Sequence, residues 1–164
     1  MLLRNPSSID WRNQKLWFHG NTALLEQDLN ALLCSKACPG AKIIEAMDLA
    51  QRWRAESHPV ISGFHTAVEK ECLRIFLRGP QHIVVCLARG LDPFQLPTEW
   101  QPKFDRKELL VVSPFDSSVR RPTKKTCEIR NRLVLDLAAD YTIIHASPKG
   151  SLSKLQAATR DAAV

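Results

Sequence analysis

Long apolar runs are missing from this 164-residue chain: no stretch approaches the ~20 consecutive apolar residues that a membrane-spanning helix needs. No basic-then-apolar leader opens it, which sets the expectation of a cytoplasmic protein of the reducing compartment that meets no membrane. The five cysteines, Cys34, Cys38, Cys72, Cys86 and Cys127, are odd in number and scattered. Cys34 and Cys38 stand C-x3-C with no second pair or nearby histidine, which argues against a zinc site. Cys72 and Cys86 lie in apolar runs and read as small core residues. Neither G-x-G-x-x-G nor G-x-x-x-x-G-K-[ST] occurs, so the usual dinucleotide fingerprint and the P-loop are both absent. Ser62 and Ser113 have no histidine and aspartate at a recognisable triad spacing. No cofactor, metal or catalytic residue is therefore expected, and a binding protein is the expectation ahead of an enzyme.

What is present is positive charge and alternation. Lys and Arg outnumber Asp and Glu by 23 to 17, a net +6 that favours nucleic acid or nucleotide phosphates as partners. Residues 1–14 read as a polar, irregular N-terminal arm, and residues 15–164 as one domain, long enough to bury a core. Within it, the short apolar runs Ala31–Cys34, Val60–Ile61, His82–Ala88, Leu109–Val112 and Tyr141–Ala146 alternate with amphipathic segments at Lys42–Arg54, from Thr66, and over Leu152–Ala163. Such alternation predicts an α/β, Rossmann-like three-layer domain with a mainly parallel sheet. Leu91–Lys107, with three prolines and Trp100, is a long connection that reads either as a lid or as packing.

Right-handed crossovers bring the C-terminal ends of parallel strands to one edge, where ligands of open α/β sheets bind. The residues just past the predicted strands are Ser35–Lys36, Ser62–Gly63, Arg89–Gly90, Ser113 and Lys149–Gly150–Ser151. Glycine lets backbone N–H groups approach an anion, serine donates a hydrogen bond, and Lys or Arg supplies charge. Thr66-x-x-Glu69 forms a capping box, which accounts for the acid there without catalysis. His65 reads as a surface histidine, His145 as a strand residue, and Trp17, Phe18, Trp53 and Trp100 as core aromatics before base-stacking ones.

The stretch RRPTKKTCEIRNRLVLDLAADY, residues 120–141, holds the densest charge. Arg120, Arg121, Lys124 and Lys125 precede a predicted helix with Ile129, Leu133 and Leu137 on one face and Val134 and Ala138 beside them, and Arg130 and Arg132 bracket Asn131 in its early turns. A helix start favours anions and repels cations, so cations gathered there ask for an external anion, most often phosphate.

The order of LWFHGNTALL, ALLCSKACPG, VISGF, HIVVCLARGLDPFQLP, LLVVSPF, RNRLVLDLA and IIHASPKGSL resembles the Rossmann-like domain of the DprA/Smf DNA-processing family, from about Leu16 to Leu155. That family sits in a wider superfamily with the LOG-type nucleotide hydrolases. The resemblance implies single-stranded DNA binding and help in loading a recombinase, without a reaction. It also implies that Ser35, Lys36, Ser62, Gly63, Arg130, Asn131, Arg132, Gly150 and Ser151 line the ligand edge. Lys36 stands where the family has an arginine, which replaces a planar fork with a point charge. The FHTAVEKE segment departs from the family after Ser62–Gly63, and flanking domains are absent, so the chain reads as a divergent, stand-alone member. Lys154 stands where the LOG-type branch carries its catalytic glutamate, which argues against that hydrolysis.

The expected phosphate-binding set is thus Ser35, Lys36, Ser62, Gly63, Arg89, Arg120, Arg121, Lys124, Arg130, Asn131, Arg132, Lys149, Gly150 and Ser151. The expected partners are single-stranded DNA or a nucleotide, with a recombinase implied by the resemblance and a homodimer allowed by exposed strand edges. A nucleotide-binding sensor or nucleotide-processing enzyme using the same crevice is the rival. A scaffold whose basic face binds an acidic protein is the third reading.

Overall fold

In the computed structural model, which describes residues 1–162, the apolar runs become strands. In chain order these are β1 (Leu2–Leu3), β2 (Ser7–Trp11), β3 (Gln14–Gly20), β4 (Asn30–Cys34), β5 (Val60–Ser62), β6 (Ile83–Cys86), β7 (Phe94–Gln95), β8 (Leu109–Ser113) and β9 (Asp140–His145). The helices are α1 (Gly40–Ala55), α2 (Ala67–Leu77), α3 (Gln101–Asp105), α4 (Lys124–Leu137) and α5 (Ser151–Ala162). None is long and apolar enough to cross a membrane. Seven strands form the main sheet in the order β2-β3-β8-β6-β5-β4-β9. The five from β8 to β9 run parallel, and β3 and β2 extend the sheet antiparallel beyond β8.

Continuous apolar strands are needed because both faces of this sheet are covered. Side chains alternate across a strand, so Leu32, Val60, Ile83, Val85, Leu109 and Val111 pack under α1 and α2. Their neighbours Ala31, Leu33, Ile61, Val84, Leu110 and Val112 meet α4 and Leu152 of α5 on the other face. The result is the expected three-layer α/β domain, helix on sheet on helix.

Three local expectations change. Residues 7–11, expected as part of an irregular arm, form edge strand β2, because Ser7–Trp11 pairs in register with Gln14–Phe18 around a two-residue turn at Arg12–Asn13, both at positive φ. Leu91–Lys107 is packing and not a lid: Leu91, Phe94 and Leu96 are buried, β7 pairs with β1, and the buried Lys103 ammonium donates to the Gln81 carbonyl at 2.7 Å. The inner face of α4 carries the expected Leu133, Val134 and Leu137, but at its first turn Arg130 is buried in place of Ile129. Ile129 is 40% exposed, and Arg130, Leu133, Val134 and Leu137 face the sheet. The last predicted helix is present as α5; Ala163, where it was expected to end, lies outside the described residues.

Parallel strands leave β4 in opposite directions. β5, β6 and β8 lie to one side and β9 to the other, so the topological switch point falls between β4 and β9. The C-terminal ends of all five strands, and the start of α4, meet at that edge.

Candidate functional site

At the switch point the loops after β4 and β9 are tied to each other. The Ser35 N–H donates to the His145 carbonyl at 2.8 Å, and the Ser147 N–H donates to Ser35 Oγ at 2.9 Å. Ser147 Oγ donates to the Ala37 carbonyl, and Ser153 of α5 anchors the Ser147 carbonyl at 2.7 Å. This bracing leaves Lys36 exposed on one side of the crevice and Lys149 exposed on the other, Lys149 in a left-handed turn with φ 59°. The turn closes when the Gly150 N–H donates to the Ser147 carbonyl at 3.0 Å.

One step along the sheet, Arg130 reaches from α4 over the ends of β5 and β6. It is 3% exposed. Its Nη1 donates to the carbonyl of Cys86, the last residue of β6, at 3.4 Å, and its Nε donates to Asn131 Oδ1 at 2.8 Å. The guanidinium lies so close to Gly63 that a Cβ there would overlap its Cζ, Nη1 and Nε. Among the described residues no carboxylate comes within ion-pairing distance of it. A buried cation without a counterion is expensive, and an anion arriving at the rim would offset that cost.

Glu69, which acts on His65 together with Arg130, is committed elsewhere. Its carboxylate is buried and accepts three backbone N–H groups, Cys34 at 2.9 Å, His65 at 3.0 Å and Thr66 at 3.1 Å. The capping box expected from sequence is present, and the bond to Cys34 additionally ties the start of α2 to the end of β4. His65, exposed at this corner, is held below its ordinary range, first by partial burial and then by the Arg130 guanidinium. Lys70 and Lys36 act in the same direction and Glu69 opposes them. The imidazole therefore stands in a positive field to which Lys36 and Arg130 both contribute. Burial pushes the Cys34 and Cys86 thiols up to about 12, so neither strand-end cysteine is a nucleophile at neutral pH.

Not all of the expected residues project into this centre. Ser62 is fully buried and its Oγ accepts from the Phe64 N–H at 3.3 Å, so it shapes the turn that presents Gly63. The Ser113 hydroxyl donates to the Arg89 carbonyl at 2.6 Å. Arg89 itself bonds the Gly90 carbonyl at 3.0 Å and lies 5.7 Å from the Phe94 ring centre, a cation–π contact. Arg120 and Arg121 occupy an exposed loop outside α4, which starts at Lys124 behind a Thr123–Thr126 cap. The first turn of α4 contains no acid. Asn131, Arg132 and Ser151 do gather, with Glu128, Lys154 and Leu155, around a cleft of about 160 Å³ between α4 and α5.

Sequence reasoning missed Glu69 as a strut of the rim, and His65 is exposed, as expected of a surface histidine. The capping-box spacing identified Glu69, but its bond to Cys34 spans 35 residues and has no local signature.

The model of the DNA recombination-mediator protein A family matches residues 6–162. No curated protein matches the sequence. Among solved structures, DNA processing protein A from Helicobacter pylori, described for its single-stranded DNA binding mode, is similar at 20% identity and a TM-score of 0.63, over 85% of this chain and 69% of that one. DNA processing protein A from Streptococcus pneumoniae is similar at 21% identity and a TM-score of 0.66, over 84% of this chain. This chain spans 48% of the Streptococcus protein. At such identities the likeness shows a shared fold.

Proposed function

As the chain belongs to the DNA recombination-mediator protein A family, we propose that it binds single-stranded DNA at the C-terminal edge of its parallel sheet and hands the strand to a recombinase. The observation that carries this reading is Arg130, a buried guanidinium held against Gly63 with no carboxylate in ion-pairing distance among the described residues. Phosphate is the anion that fits, because a guanidinium offers planar donor pairs and the neighbouring glycine, serine and lysine groups add donors and charge. Lys36, Lys149 and Arg132 are the exposed cations of the same edge, and Asn131 and Ser151 border it. Contacts of this kind fix position and carry little sequence information, so binding should be weakly sequence-selective and steeply salt-dependent. The fold similarity to the Helicobacter pylori protein, whose binding of single-stranded DNA is described, supports the choice of ligand.

A nucleotide ligand is the second reading, and the compact cleft beside Asn131, Arg132 and Ser151 is what favours it. Fluorescence anisotropy with labelled single-stranded oligonucleotides across salt, with mononucleotide competition, separates the two. For DNA, Arg132→Ala should weaken binding and lower the slope of log affinity against log salt by about 0.7, one phosphate's share. An unchanged slope, or full displacement by a mononucleotide at comparable concentration, rejects the DNA reading.

A further inference from the structure

The rim opens into a groove that the proposed contacts leave unused, and a role for that groove rests on the single-strand reading of the rim. α2 begins at the rim, and its residues Lys70, Arg74 and the capping Arg78 are exposed at four-residue intervals. Such residues share one side of a helix at steps of about 6 Å along its axis, a repeat that the phosphates of a stretched single strand can follow. Beside this row runs a groove of about 210 Å³ with Leu73 and Leu77 on the α2 side and Pro97 and Trp100 opposite. A second hollow, between Arg78 and Glu99, continues it away from the rim.

Two features join the groove to the site already described. Phe64, the residue after Gly63, is part of its lining. Lys70 belongs to the same positive field at His65 as Arg130 and Lys36. Trp100 is half-buried, its ring braced at 6.2 Å against Phe94, so a flat apolar surface is held in place at the groove wall. The acids nearby are Glu71, which pairs with Arg74, and Glu99, which stands on the Trp100 side. The cations therefore line one wall, and the aromatic ring with its acid lines the other. That division suits a strand whose phosphates face α2 and whose bases, with their amino groups, face Trp100 and Glu99.

We propose that a single strand held at the rim continues along this groove, with phosphates on Lys70, Arg74 and Arg78 and a base stacked on Trp100. The test uses the full chain and labelled mixed-sequence single strands from about 4 to about 20 nucleotides, the span of known single-strand site sizes. Affinity of the unmodified chain should rise with length until the groove is filled. The double variant Arg74→Gln, Arg78→Gln, which leaves the rim cations in place, should bind the shortest strands as before, lose most of the gain with length, and show a salt slope lower by about 1.4 on long strands. Trp100→Leu should cost about tenfold on long strands only. Affinity independent of length, or variants that weaken short and long strands equally, would overturn the inference and leave the rim reading standing. Displacement of long strands by poly-glutamate at matched charge, with no gain from bases, would assign the groove to an acidic protein and also overturn it. Failure of the unmodified chain to bind any strand would refute the rim reading, and this inference with it.

Discussion

Gly63→Ala gives the sharpest test of how the rim is built. Gly63 is not in the left-handed region, so its backbone accepts alanine and any cost comes from the added methyl. That methyl would overlap three atoms of the Arg130 guanidinium, which is fixed by its bonds to the Cys86 carbonyl and to Asn131. Overfilling a packed site costs about 1–3 kcal/mol. A value near 2 kcal/mol lowers the melting temperature by about 4–8 °C in a domain of this size. The structure also predicts a reversal of sign. Once Arg130→Ala has vacated the space, Gly63→Ala no longer meets the guanidinium, and the smaller entropy of the unfolded chain should stabilise by about 0.5 kcal/mol. Urea unfolding of the four proteins of this double-mutant cycle measures the coupling. The same cost in both backgrounds would show that Gly63 is small for some reason other than Arg130, and the account of the rim would fall. Strand binding by Gly63→Ala, followed by anisotropy, should weaken even where the protein stays folded.

Three further expectations concern the same corner. Glu69→Gln replaces an acceptor of three N–H groups with a side chain that can turn only one oxygen toward them, so the unfolding midpoint in urea should report a loss of about 1–3 kcal/mol; an unchanged midpoint would remove Glu69 as a strut. His65 should titrate below about 6.5 in the free protein and move upward when an oligonucleotide fills the rim, seen by NMR of its ring protons. Because its folded pKa is depressed, the unfolded chain binds the extra proton first, and stability falls as pH drops through the window below about 6.5; a midpoint indifferent to the ligand would separate His65 from the site. Arg130→Met should leave stability within about 1 kcal/mol of the parent or raise it, while strand binding is lost; a loss of several kcal/mol with binding intact would make Arg130 a structural residue.

Much of the architecture was legible because apolar strands buried on both faces leave a plain mark. Leu109–Val112 and the Ile83–Cys86 core of its run carry no polar residue, and parallel order follows from the helices between them. The ends of those strands were equally readable, which is why Ser35, Gly63 and Gly150 were found at the edge. Two kinds of feature were not readable. Edge strand β2 is polar along one side, as a solvent-facing strand must be, and its sequence SSIDW looks like a loop until its partner β3 is known. Contacts across long sequence gaps, such as Glu69 to Cys34 or Ser35 to Ser147, are invisible to spacing arguments. The contact of Arg89 with the Phe94 ring was equally invisible in the sequence.

The exchange of Ile129 for Arg130 at the first buried position of α4 carries the deeper lesson. Reading Ile129, Leu133 and Leu137 as its inner face assumes that helices bury their most apolar stripe. The face actually buried starts with Arg130 and continues through Leu133, Val134 and Leu137, and Ile129 is left 40% exposed. Packing alone argues for the reverse, because an isoleucine gains from burial and an uncompensated guanidinium loses by it. Two observations accompany that choice: Leu133, Val134 and Leu137 all reach the sheet, and Gly63 has no side chain where the Arg130 guanidinium lies. The helix therefore gives up one apolar contact to hold a charge at the ends of β5 and β6, and a residue placed against its own packing interest is where a ligand should be sought.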